Sequence, residues 1–168
     1  MPDLFTVTTV VGGAVTAATV DVITRRVPNA LTIGLAATGL IGAASGLGGL
    51  SIAAAALGFI TGFVLMLPGH FLGGTGAGDV KLMAALGTVV GPQLIFMGFF
   101  YTAIAGGVLA VGFALSRRQL RGTLRRTGRL VTSPTSARDE IANDSTRSTF
   151  PYAPAVAAGA IAAVLLHG

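Results

Sequence analysis

The sequence predicts an all-α, polytopic membrane protein with six transmembrane helices and its N-terminus outside. Three observations predict this fold: the composition, the apolar runs along the chain, and the placement of basic residues. Hydrophobic residues make up 52% of the 168 positions, charged residues only 10%, and the mean hydropathy is +0.80. Soluble domains carry about 25% charged residues. The composition therefore excludes an ordinary soluble domain, a disordered chain and a coiled coil.

Six apolar runs are the candidate spans, and together they predict a single membrane domain over residues 1–168. They cover roughly residues 4–23, 30–47, 50–67, 80–90, 93–115 and 153–166. About 20 apolar residues cross a bilayer, and all runs but the fourth suit that length. The fourth would rise only about 16 Å as a helix, so it needs flanking glycines or a locally thin site. The N-terminus lacks a basic segment, so we expect the first run to be retained rather than cleaved as a signal peptide.

The basic residues favour this topology. With six spans and the N-terminus outside, all 11 Lys and Arg residues fall on the inner side, as the positive-inside rule expects. If the short fourth run did not cross, the Arg-rich segment at about 116–150 would lie outside. The rule also explains the net charge of +5, so we expect no nucleic-acid partner. We interpret the Arg-rich segment as a cytoplasmic loop, either a plain linker or partly an interfacial helix on anionic lipid.

Glycine pairs within the predicted spans indicate close packing of helices. Gly42 and Gly46, Gly58 and Gly62, and Gly87 and Gly91 are each four residues apart. Small residues at this spacing let helix backbones approach closely in lipid.

Two acidic residues, Asp21 and Asp79, lie against predicted helices at the membrane boundary. Ionisable groups there are costly and often functional. The predicted topology puts both near the cytoplasmic face, where one ionised and one protonated carboxylate could activate water and protonate a scissile carbonyl. Each also has a structural alternative. Asp21 could form an ion pair with Arg25 four residues later, and Asp79 could cap a helix.

The sequence around each aspartate is unusual. Asp21 is followed by Arg25-Arg26-Val27-Pro28-Asn29, where Pro28 disfavours helix at the preceding residue and predicts a sharp turn. Asp79 follows Gly73-Gly74-Thr75-Gly76-Ala77-Gly78, whose glycines would let an extended substrate backbone approach closely. The glycine stretch lacks the ending of a phosphate-binding loop and fails the dinucleotide fingerprint.

These motifs resemble the type IV prepilin peptidase family, and in particular its small Tad/Flp-pilus branch. The matching residues are Asp21 with Arg25–Asn29, then Gly74-Thr75-Gly76-Ala77-Gly78-Asp79-Val80-Lys81-Leu82 with Gly87, and finally Pro151-Tyr152-Ala153-Pro154 leading to Gly159. The resemblance implies an aspartic endopeptidase of the inner membrane with its active site at the cytoplasmic face. It also implies that Asp21 and Asp79 are the catalytic pair.

The partner implied by the resemblance is a prepilin, cut after a glycine that separates a basic leader from an apolar helix, within the lipid bilayer. The residues expected to position the substrate or shape the site are Gly74, Gly76, Gly78, Lys81, Arg25, Pro28 and Asn29. Larger family members carry an N-terminal domain with paired cysteines and methylate the new N-terminus. This chain has no cysteine and begins with a predicted span, so we expect no methyltransferase activity.

We expect no metal or other cofactor, because two aspartates offer a hard cation too few oxygens. Presenilin-like proteases share the GxGD sequence but fit less well, since a tyrosine usually precedes their first aspartate and their Pro-Ala-Leu motif is missing here. A non-enzymatic alternative is a small transporter or scaffold in which Asp21 and Asp79 form a proton or cation path. His70 is interpreted as an interfacial polar residue or an aid to substrate positioning, and Lys81 as a group that either favours the ionised Asp79 or binds lipid phosphate.

Overall fold

The computed structural model describes residues 3–72, 74–116 and 152–168. Its helices are α1 (Leu4–Thr24), α2 (Asn29–Ser45), α3 (Ile52–Phe71), α4 (Ala77–Ser116) and α5 (Ala153–His167). The prediction of an all-α protein is confirmed for this part of the chain. The Arg-rich loop predicted at about 116–150 lies outside the described residues from position 117 onwards.

The turn predicted after Asp21 is confirmed. Helix α1 ends at Thr24, and Arg25 adopts the left-handed conformation (φ 54°, ψ 31°) that often terminates a helix. Pro28 has an extended backbone and immediately precedes α2. The chain therefore reverses within a few residues of Asp21.

Helix α4 is interrupted at Gly91, which has a non-helical backbone (φ 79°, ψ 175°) and precedes Pro92. We name its two parts α4a (residues 77–90) and α4b (residues 92–116). Tyr152 shows how they are arranged, because it shares a cavity with Asp79 of α4a while its ring contacts Gly106 of α4b. A straight helix would separate Asp79 from Gly106 by about 40 Å. The chain therefore turns back at Gly91, and the fourth and fifth predicted apolar runs are the two parts of α4.

The short α4a lies at the centre of the bundle. Each residue from position 82 to 91 is buried, so this segment is enclosed by protein on every face. Helix α3 packs closely against it, because a Cβ atom added at Gly58 would overlap the carbonyl of Gly87, and one added at Gly62 would lie 2.5 Å from the carbonyl oxygen of Met83. The predicted close packing is confirmed for these glycines. Gly46, in contrast, ends α2 in the left-handed conformation.

The outer faces of the helices are apolar, as expected for a protein that spans a membrane. Exposed side chains include Ile60 (54%), Ile104 (64%) and Val108 (67%). Among the described residues, α1, α3 and residues 77–109 of α4 are long and apolar enough to cross a membrane, while α2 and α5 are shorter apolar helices.

Candidate functional site

Asp21 and Asp79 lie in the wall of one cavity of about 280 Å³. They come from the last turn of α1 and the first turn of α4, 58 positions apart in the sequence. Both residues are buried, with 6% and 7% of their surface exposed. The remaining lining residues are Arg25, Arg26, Val27, Gly76, Ala77, Gly78 and Tyr152. The structure thus brings together the two aspartates singled out in the sequence.

The Asp21 carboxylate is held by the last helix. Its Oδ2 accepts a hydrogen bond from the backbone N–H of Ala153 at 3.3 Å. Arg25 makes a different contact, because its backbone N–H donates to the Asp21 carbonyl oxygen at 2.7 Å and closes α1. Among the described residues, the Asp21 carboxylate is therefore bonded to a main-chain group of α5, and an ion pair with Arg25 does not explain the position of Asp21.

The Asp79 carboxylate is held by its own helix start. It is the third residue of α4, and its Oδ2 accepts a hydrogen bond from the N–H of Gly76 at 3.1 Å. An acid that reaches back three residues satisfies one of the free amides at a helix N-terminus, as in a capping box. The capping alternative is thus correct in part, and the same residue also lines the cavity.

The two glycines of the GxGD sequence, Gly76-Ala77-Gly78-Asp79, each allow a close approach. A Cβ atom added at Gly76 would lie 3.1 Å from Asp79 Oδ2, and one added at Gly78 would lie 3.1 Å from Val27 Cβ. Gly76 therefore makes room for the carboxylate that it binds. Gly78 makes room for the turn between α1 and α2. Together they bring the two aspartate-bearing segments next to each other.

The glycine loop before α4 is folded back on the end of α3. The N–H groups of Gly74 and Thr75 both donate to the carbonyl of Gly69, at 2.8 and 3.2 Å. With Gly76 bonded to Asp79, three successive amides of the loop are already engaged. An extended substrate would therefore have to use other groups of the loop, because these donors are occupied.

His70 anchors this loop. Its Nδ1 lies 3.0 Å from the carbonyl oxygen of Thr75, and a carbonyl can only accept, so Nδ1 carries the proton in this contact. The side chain ties the last turn of α3 to the segment that leads into Gly76. This contact is more specific than the interfacial role considered from the sequence.

Four of the predicted positioning residues do not line the aspartate cavity. Lys81 Nζ donates to Asn29 Oδ1 at 3.0 Å, and both residues line a second cavity of about 370 Å³. Pro28 starts α2. Gly74 is also absent from the residues that line the aspartate cavity.

Tyr152 is the residue that the sequence argument missed. It lines the cavity with both aspartates and immediately precedes Ala153, the donor to Asp21. The signal was present in the Pro151–Pro154 stretch, which supported the family resemblance but was not used to build the site.

Metal binding is a separate question. Over residues 3–72, 74–116 and 152–168, no group of three or more His, Asp or Glu side chains could hold a metal ion. The expectation that the protein needs no cofactor stays a prediction.

Comparison with known proteins shows the family of this chain. The sequence model of the type IV leader peptidase family matches residues 8–111, a stretch that contains Asp21 and Asp79. The chain is also 32% identical over 111 residues to the prepilin leader peptidase/N-methyltransferase of Bacillus subtilis (strain 168), which covers 66% of this chain and 34% of that relative. The chain thus spans about a third of the relative's length. No solved structure gives a significant match. Because the family match extends over more than half of the chain, from α1 into α4b, the protein belongs to the type IV leader peptidase family.

Proposed function

We propose that the protein is a membrane aspartic endopeptidase that removes the basic leader peptide from type IV, Flp-like prepilins. The observation that carries this proposal is the cavity shared by two buried aspartates from α1 and α4. Family membership supports the reaction class, since the matched stretch contains both residues.

The proposed mechanism uses the two carboxylates as a general base and a general acid. The ionised carboxylate takes a proton from water, whose oxygen attacks the scissile carbonyl carbon. The protonated carboxylate donates its proton to the carbonyl oxygen, so both protons are accounted for. The carboxyl that took the proton from water then donates it to the leaving amine as the C–N bond breaks. The other carboxylate takes back the proton from the oxygen as the carbonyl re-forms, so both aspartates return to their starting states. Water attacks directly, so no covalent intermediate with the protein is formed.

The glycines beside Asp79 help to accommodate the substrate in this proposal. Residues 76–78 form one wall of the cavity, and the two glycines among them leave space near the carboxylates. Tyr152 lies on another part of the wall. Arg25 and Arg26 also line the cavity, and like charges repel. The basic leader is therefore better accommodated by anionic lipid headgroups than by these arginines.

We also propose six membrane crossings, an external N-terminus and a catalytic cavity at the cytoplasmic face of the inner membrane. Three long apolar helices support the membrane location. The reversal of α4 at Gly91 supports separate crossings for its two parts. The exposed Arg25 and Arg26 at the end of the bundle that carries the aspartates support a cytoplasmic position under the positive-inside rule.

Processing of a co-expressed prepilin tests the proposal. Asp21→Asn and Asp79→Asn should each reduce leader removal by at least about 10²-fold, a typical effect of losing a general acid or base. Asp3→Asn is the matched control, because Asp3 caps the distant N-terminus of α1 and asparagine caps equally well. Continued processing by both site variants would refute the peptidase proposal. Proton-coupled flux in proteoliposomes would then favour the transporter alternative.

The proposal includes cleavage without methylation. The sequence lacks the paired cysteines associated with the methylating members. Mass spectrometry of the mature pilin should therefore find an unmodified N-terminus when this chain is the only processing enzyme present. A methylated N-terminus would refute this part of the proposal and leave the peptidase activity standing.

A further inference from the structure

An apolar groove opens beside the aspartate cavity, between α3 and α4b. Its volume is about 520 Å³. Tyr152 lines both the groove and the cavity, while Thr75 lines the groove and the next residue, Gly76, lines the cavity. The other residues of the groove are Val64, Leu65, Met66, Pro68, Gly69, Phe99 and Ala103. The groove is therefore continuous with the wall that carries the aspartates.

The position of Tyr152 is set by the same segment that binds Asp21. Its carbonyl oxygen accepts hydrogen bonds from Ala155 and Val156 in the first turn of α5, at 2.9 and 3.2 Å. Its ring lies against Gly106, where an added Cβ atom would lie 2.7 Å from Cε2 of the ring. Because α4b blocks movement on that side, the ring forms a fixed boundary between cavity and groove.

A second groove offers a direct comparison. It is the 370 Å³ cavity described above, and it is lined by Thr32, Ile33, Ala36, Phe59 and Phe63 with Asn29 and Lys81. It shares no lining residue with the aspartate cavity. Its polar end is the Lys81–Asn29 hydrogen bond, and Lys81 projects about 200° away from Asp79 around α4a. A segment bound there would be directed towards Lys81 rather than towards the aspartates.

Resting on the proposed function, we propose that the α3–α4b groove binds the apolar segment that follows the scissile bond of the prepilin, with Tyr152 as the residue that positions it. The groove is apolar along both helices, so it matches that segment and not the basic leader. It also adjoins the aspartate cavity, because the two share Tyr152 in their walls. Thr75, whose buried Oγ1 has no hydrogen-bond partner among the described residues, lies at this junction.

Disulfide crosslinking tests which groove is used, since the chain has no cysteine of its own. Ala103→Cys reports on the α3–α4b groove and Ala36→Cys on the other groove, each in an Asp79→Asn background that retains the uncleaved substrate. The probe is a Flp-type prepilin with a single cysteine at successive positions of its apolar segment. We expect oxidation in membranes to link it to Ala103→Cys and not to Ala36→Cys.

Two other crosslinking results would overturn the groove assignment. One is crosslinking through Ala36→Cys. The other is the absence of crosslinking at both sites, provided that the unsubstituted chain still cleaves the same prepilin. If the unsubstituted chain cleaved no prepilin, the proposed function itself would fail, so the two failures are distinguishable.

Kinetics give a second, independent readout. Ala103→Trp should fill the groove and lower kcat/KM at least about tenfold, mainly through KM, whereas Ile33→Trp in the other groove should change it less than about twofold. Both positions are exposed, so both variants are expected to fold. Tyr152→Ala should also raise KM, and Tyr152→Phe should restore it, because the ring rather than the hydroxyl forms the boundary. A fall in kcat with unchanged KM for Tyr152→Ala, or equal effects of the two tryptophans, would overturn the proposal.

Discussion

The backbone N–H of Ala153 donates to Asp21 Oδ2 at 3.3 Å, although 132 positions separate the two residues. This contact joins α1 to the start of α5 beside the aspartate cavity. Asp79 lies in the same cavity and is bonded instead to Gly76 of its own loop. Each aspartate therefore satisfies a main-chain donor, so the structural and the chemical roles of its carboxylate can be tested separately.

Two substitutions of Asp21 should separate these roles. Asp21→Asn keeps an oxygen that can accept from Ala153, so its stability should stay close to that of the unsubstituted protein while prepilin processing is lost. Asp21→Ala should also abolish processing, and it should cost about 1–3 kcal/mol of stability in addition, because the N–H of Ala153 is left buried without a partner. Thermal unfolding in detergent and a processing assay on the same preparations measure both effects.

The comparison has an internal control in Asp3. Asp3→Ala removes a helix cap that accepts from Thr6 and should cost about 1 kcal/mol without loss of processing. If Asp21→Ala were as stable as Asp21→Asn, the hydrogen bond to Ala153 would contribute nothing to stability.

Replacing Arg25 with glycine should stabilise the protein against unfolding. Among the described residues it is the non-glycine position with a positive φ, a conformation that costs an L-residue roughly 1–2 kcal/mol. Arg25→Gly should therefore be more stable than Arg25→Ala, by about 1 kcal/mol in thermal unfolding. The neighbouring Arg26 is the matched control, where alanine should instead be the more stable replacement by roughly half a kcal/mol, because glycine has the larger backbone entropy to lose. If the glycine variant were the more stable one at both positions, or the alanine variant at both, the left-handed backbone of Arg25 would not be what favours glycine there.

Local features of the fold could be predicted from the sequence. Pro28 predicted the turn after Asp21, and the apolar runs predicted the helices, including the separation at Gly91 and Pro92. These features depend on short-range chemistry, namely backbone restriction and hydrophobicity. The approach of Asp21 and Asp79 was predicted only after the charge pattern had suggested a topology that puts them at the same face.

Other features of the site depend on packing between helices that are distant in sequence, and no local sequence pattern predicts that packing. Tyr152 reaches the cavity because α5 packs beside α1 and α4b. The hydrogen bond from Lys81 to Asn29 depends on how α2 packs beside α4a. The glycine loop was interpreted as open to substrate, yet the amides of Gly74 and Thr75 are bonded to Gly69. In each case the contacts of the residue are set by a partner distant in sequence or by a loop that folds back on itself.

Gly87→Ala should strongly destabilise the bundle. Its new Cβ atom would overlap the carbonyl of Gly58 on α3, and two backbones in contact cannot separate without moving the buried α4a. The expected cost is about 1–3 kcal/mol or more, typical of overpacking, measured by thermal unfolding in detergent. Gly12→Ala is the control, because its Cβ would have no neighbour within 4 Å beyond the adjacent backbone of its own helix and alanine favours a helix by roughly 0.5–1 kcal/mol. Equal stability of the two variants would mean that α3 and α4a are not in close contact.

The proposed topology predicts opposite accessibility for two exposed leucines. Leu72 lies at the end of α3 beside the glycine loop, and Leu47 lies in the connection between α2 and α3 at the opposite end of α3. With the aspartate cavity at the cytoplasmic face, a membrane-impermeant maleimide should label Leu47→Cys in intact cells and label Leu72→Cys only after the membrane is permeabilised. The chain without cysteine gives the background. The reverse pattern would invert the topology and put the aspartates outside, where the basic arginines at the same end would violate the positive-inside rule. Labelling of both cysteine variants in intact cells would show that α3 does not cross the membrane. The six-span proposal would then fail, while the internal geometry of the site would remain unchanged.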